Sequence, residues 1–147
     1  MADLVVKITE DLTLNGMQQG GSTSLTIASI ADIFKRVYQV ATTEQTIYTT
    51  HDSETSGSQL DDDNIKYARI TNNGTAYITL RIKNADNDEF VYKLNAGESF
   101  LLYQHEATMN AATASTIDIG TGWHDITSVK ATSSSSTQAV EVLIAST

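Results

Sequence analysis

Several segments of this chain carry apolar residues at every second position. Ile78, Leu80 and Ile82 alternate with Thr79, Arg81 and Lys83, and Val140, Val142 and Ile144 repeat the pattern near the end. A period of two is the period of a β-strand with one buried face and one wet face. A helix would scatter these residues around its circumference. The alternation recurs along the chain, so the expected fold class is all-β.

The stretch Lys66 to Tyr103 has the clearest grammar. Strands are expected over Lys66–Thr71, Ala76–Lys83, Glu89–Leu94 and Glu98–Tyr103. Between them lie Asn72-Asn-Gly-Thr, Asn84-Ala-Asp-Asn-Asp and Asn95-Ala-Gly. Asn73 and Gly74 suit a turn with positive φ. Strands joined by such tight turns predict an antiparallel meander. The chain has no proline, so its turns rely on Gly, Asn and Asp.

The flanks repeat the style. Leu4–Leu14 reads as a strand with Leu4, Val6 and Ile8 on one face, broken by Asn15-Gly16. Met17–Ser22 reads as loop and Ser24–Ile30 as strand. Asp32–Val40 supports two readings. Ile30, Ile33, Phe34 and Val37 fit a helical face, whereas the β-branched and aromatic content favours a strand. Glu44–Thr50, Trp123–Ala131 and Gln138–Ala145 read as strands. His51–Asn64 and Thr132–Thr137 read as polar connections, and Glu106–Thr116 as a long loop or short helix. Nine or ten short strands at this spacing predict a single antiparallel β-sandwich over residues 1–147, with a jelly roll fitting best. Residues 1–21 read either as a sandwich strand or as an N-terminal arm that clamps or swaps with a neighbour.

With 147 residues, the chain is long enough to bury a core without staples. Its formal net charge of −9 disfavours phosphate-rich partners, so neither nucleic acid nor an anionic membrane is expected. The absence of cysteine excludes disulfides and thiolate metal sites. Met1-Ala-Asp-Leu-Val-Val-Lys lacks the features of a signal peptide, and no apolar run reaches membrane-spanning length. The expectation is a protein made in a cytoplasm.

No catalytic constellation is legible. His51, His105 and His124 are not at metal-ligand spacing, although His51 with Asp52 and Glu54 forms a polar group. His124-Asp125 reads as a strand start. Gly20-Gly-Ser-Thr-Ser lacks a nucleophile elbow, and no glycine-rich phosphate loop is present. Asp61, Asp62, Asp63, Asp86 and Asp88 are weak calcium candidates, because hard cations take clustered carboxylates. Plain hydrated turns are the commoner explanation for them. No cofactor is expected. Tyr38, Tyr48 and Tyr77 are candidate surface tyrosines for stacking on sugars or for a subunit interface, with core and cross-strand roles as the commoner alternative.

Arg69-Ile-Thr-Asn-Asn-Gly-Thr-Ala-Tyr-Ile-Thr-Leu-Arg-Ile and Phe90-Val-Tyr-Lys-Leu-Asn-Ala-Gly-Glu-Ser-Phe resemble small structural proteins of tailed-bacteriophage virions. Asp11-Leu-Thr-Leu-Asn-Gly is similar in style. The resemblance covers about the middle third of the chain. It implies a non-enzymatic jelly-roll decoration (cement) protein of the capsid surface, a homotrimer whose partner is the major capsid protein. A tail, head-fibre or head–tail connector component, or a carbohydrate-binding β-sandwich, remain the alternatives.

Overall fold

The computed structural model describes residues 1–52, 60–107 and 123–147. Among these, every regular element is a strand: β1 (Ala2–Thr9), β2 (Thr13–Leu14), β3 (Met17–Gln18), β4 (Ser22–Ile30), β5 (Asp32–Val40), β6 (Gln45–His51), β7 (Leu60–Asp61), β8 (Ile65–Asn72), β9 (Ile78–Asn84), β10 (Glu89–Leu94), β11 (Ser99–Leu102), β12 (Glu106–Ala107), β13 (His124–Ser133) and β14 (Gln138–Ser146). Four of the fourteen are two-residue pieces, which leaves ten longer strands. Asp32–Val40 is a strand, not a helix. Glu106 and Ala107 pair with β13, while the rest of the expected loop or helix lies outside the described residues.

Two sheets make the body. One runs β10-β9-β13-β6-β7 with β12 on β13, and the other runs β11-β8-β14-β5. Their facing sides form one core. Ile47, Ile78, Leu80, Ile82, Ile126 and Val129 come from the first sheet; Val40, Ile70, Val140, Val142 and Ile144 come from the second. The period-two pattern therefore becomes sandwich packing: β9 alternates buried and half-buried residues along its whole length.

The middle of the chain is not a meander. β9 and β10 form a hairpin, but β8 lies in the opposite sheet, between β11 and β14. The turns after Asn72 and after Leu94 carry the chain across the sandwich. Asn72, fully buried, ties the two crossings together. Its amide donates to the Ala76 (2.8 Å) and Leu94 (3.1 Å) carbonyls, and its Oδ1 accepts from Gly74 N–H (3.0 Å). Gln138 Oε1 accepts from the N–H groups of Thr75 and Ala76. Asn73 and Gly74 are not at positive φ. Glycine is required at 74 for a different reason: a Cβ there would collide with the Gln138 amide.

Residues 2–30 form one long hairpin. β1 pairs antiparallel with β4, and the ribbon continues through β2 and β3 to a tip at Asn15-Gly16. Both tip residues have positive φ, 51° and 76°, the geometry of a type I′ turn. Met17 and Gln18 are thus strand rather than loop. Only the base of the hairpin is packed. Leu4, Val6, Ile27 and Ile30 of the hairpin pack with Tyr67 and Ala145 on the outer face of the second sheet. Beyond it, Leu12, Leu14 and Met17 are exposed, so the hairpin stands out as an arm.

Candidate functional site

One recess gathers titratable side chains from distant parts of the chain. Asp62, Asp63, Lys66, His105, Glu106 and Asp125 line it, together with Gln104 and Ile65, around about 90 Å³. The turn between β7 and β8 supplies the aspartates. β12 and the start of β13 supply the opposite wall. The short parallel pairing of β6 with β7 holds the aspartate turn in place, along with the bond from Asp62 N–H to the His51 carbonyl (3.2 Å).

Burial raises the Asp62 carboxyl above the usual carboxylate range, and the charges of Asp52 and Asp63 add to the shift. Asp125 is raised in the same way, by burial first and then by Asp62 and Glu106. Backbone N–H donation works against the rise at Asp62: Asp63 N–H reaches both Asp61 Oδ1 and Asp62 Oδ1 at 3.1 Å. Lys66 spends its ammonium on the Asp63 carbonyl (2.8 Å) rather than on a carboxylate.

His105 is 3% exposed. Burial lowers its pKa to about 4, so the ring is neutral at pH 7. Its Nε2 stands 3.4 Å from the Tyr48 hydroxyl, and its Nδ1 has no hydrogen-bond partner among the described residues. Burial likewise pushes the Tyr48 phenol up. Tyr48 is therefore a core residue, the commoner of the two roles expected for it, and not a surface one. Tyr38 is half-buried against the core, whereas Tyr77 is exposed with Lys93 Nζ 4.4 Å over its ring.

Of the calcium candidates, Asp61, Asp62 and Asp63 converge, with one oxygen from each inside a 4.8 Å cluster. Asp86 and Asp88 do not join them. They sit in the β9–β10 turn, where Asp86 Oδ2 pairs with His124 Nε2 at 2.9 Å and Asp88 N–H donates to Asn84 Oδ1. His51 ends β6, Asp52 follows it, and Glu54 lies outside the described residues. The aspartate run is legible in the sequence. The convergence of Asp125 and His105 on it is tertiary and has no local signal.

The second feature is the arm. Its open side is an apolar groove of about 270 Å³ lined by Val6, Ile8, Thr23, Leu25 and Tyr103. Val5, on the other face, is 60% exposed. No helix among the described residues is long and apolar enough to cross a membrane.

No protein-family model matches this sequence, and no curated protein matches it.

Proposed function

We propose that this chain is a structural component of a virus particle, most specifically a capsid decoration protein that stabilises a head by binding the major capsid protein lattice. The observation that carries this reading is a sandwich body bearing an apolar arm. The eight main body strands divide four and four between the sheets, and only β9 and β10 are consecutive neighbours within one sheet. β5, β8, β11 and β14 form one sheet, and β6, β9, β10 and β13 the other. We read this as a jelly roll, an architecture used by viral capsid and lectin domains. The resemblance of the Arg69–Ile82 and Phe90–Phe100 segments to tailed-phage virion proteins supports the same assignment.

The mechanism is burial without chemistry. The arm carries Leu12, Leu14 and Met17 away from the body, where a neighbouring surface can cover them. Each contact is modest, and symmetry repeats it over the particle. The acidic surface favours solubility at high copy number before docking.

Immunogold labelling of particles, purified from lysates of cells that make this chain, tests the reading. Label over heads is expected. Replacing residues 10–21 by a two-residue Asn-Gly turn should abolish the label while leaving the body folded. Label confined to tails moves the protein to a tail or fibre component, and absence from particles overturns the proposal.

A further inference from the structure

Three long strands have an edge with no partner among the described residues: β1, β4 and β5. β1 pairs only with β4, and β5 pairs only with β14. Proteins blunt exposed edges with charged side chains, proline, bulges, short strands or coverage. Of these devices β5 shows only the charges of Asp32, Lys35 and Arg36. It runs nine residues in unbroken register with β14, in a chain without proline. The remaining edges of the body are better protected. β7 has two residues and β11 four, and Tyr92 of β10 packs on Phe100 of β11 at 5.0 Å between ring centroids.

β4 carries no charge, whereas β1 and β5 match. β1 carries Asp3 and Lys7; β5 carries Asp32 and Arg36, besides Lys35, which is already paired with Glu141 of its own copy. Asp3, Lys7, Asp32 and Arg36 are exposed, and none of them forms an ion pair among the described residues. Each acid–base pair is separated by four positions, and both run acid first. An antiparallel pairing of the two strands therefore sets each acid opposite a base, and opposite charges across strands stabilise a register.

We propose that β1 of one copy adds to the β5 edge of a second copy, antiparallel, with Asp3 opposite Arg36 and Lys7 opposite Asp32. The same register sets Val5 against Phe34 and Val6 against Ile33 of the second copy. The apolar pairs lie between the charged ones, so one alignment satisfies both. A shift by one residue would put side chains on the wrong faces. Backbone hydrogen bonds along the edge supply affinity, and the charges fix the register. The contact joins different surfaces of each copy. It is therefore head to tail, and a finite assembly must close as a ring.

This contact rests on the reading of the chain as an assembly component, and it is tested separately from it. Sedimentation velocity on the full chain should show a discrete oligomer. Asp3→Arg or Arg36→Asp alone sets like charges opposite each other and should reduce the protein to monomer, with the monomer's circular dichroism unchanged. Asp3→Arg with Arg36→Asp restores the pairing with its polarity reversed and should restore the oligomer. A monomeric wild type, single variants that assemble normally, or a double variant that stays monomeric each overturn the contact. A monomeric wild type that still labels heads would leave the particle assignment standing. An intact ring absent from particles would do the reverse.

Discussion

His105 should make this protein acid-sensitive in a narrow and calculable window. The ring is 3% exposed and titrates at about 4 in the fold, against 6.5 for an ordinary histidine. Between those values the unfolded chain binds a proton that the folded chain refuses, so stability falls as pH falls. The contribution is fully present above pH 6.5 and is lost on the way to pH 4. At about 1.4 kcal/mol per pH unit, and with half of the folded rings themselves protonated by pH 4, the loss between pH 7 and pH 4 amounts to about 3 kcal/mol. That is a large share of the roughly 5–15 kcal/mol that holds a typical domain together. Asp62 and Asp125 act with the opposite sign. Their raised carboxyls weaken the fold at neutral pH, and protonation relieves this as pH falls through their folded values. The comparison must therefore isolate the histidine. His105→Phe keeps a ring of similar volume and removes the titration together with the unpartnered Nδ1. Urea denaturation followed by far-UV circular dichroism, at steps from pH 7 to pH 4, should show the wild type losing about 3 kcal/mol more than the variant over that range. Parallel curves for the two proteins would refute the buried, neutral ring.

Asn72→Ala should cost at least about 3 kcal/mol in the same assay, because it strands the Ala76 and Leu94 carbonyls and the Gly74 N–H in a buried corner; a loss below about 1 kcal/mol would mean the corner is not held as described. Gly74→Ala should cost about 1–3 kcal/mol by driving the Gln138 amide off Thr75 and Ala76, and an unchanged urea midpoint would contradict the close approach. Leu80→Ala leaves a cavity between the sheets and should cost about 2–5 kcal/mol, whereas Leu80→Asp should leave no cooperative thermal transition at all. Asp62→Asn should raise the melting temperature at pH 7 by removing a disfavoured charge, and a lower melting temperature would show instead that the carboxylate is stabilised by a partner.

The strands were legible because burial alternates locally. Ile78, Leu80 and Ile82 announce their own inward face, as do Val140, Val142 and Ile144, without reference to any partner. Sheet membership was not legible, because it depends on groups far apart in sequence. Asn72-Asn-Gly-Thr has the composition of a hairpin turn. What makes it a crossing between sheets is Gln138, more than sixty positions away, which occupies the space beside Gly74. The recess divides in the same manner. Asp61, Asp62 and Asp63 stand in a row in the chain, but the wall formed by His105 and Asp125 exists only once β12 meets β13.

The arm separates these two kinds of information most clearly. Asn15-Gly16 marks a break in any reading of the chain, and Ser24–Ile30 reads as a strand, but its Ser- and Thr-rich sequence does not say which strand it pairs with. Its partner is found through backbone pairing with Ala2–Thr9 rather than through a buried face. A ribbon held in that way has weak support of its own, since two isolated strands are marginal in water. Here the base rests on Tyr67 and Ala145, and the rest has no such support. Selection for stability alone would shorten it. An exposed hairpin that keeps Val5, Leu12, Leu14 and Met17 in water is therefore best explained by a surface that covers them, and the charge spacing shared by β1 and β5 makes a second copy of this chain the first surface to test.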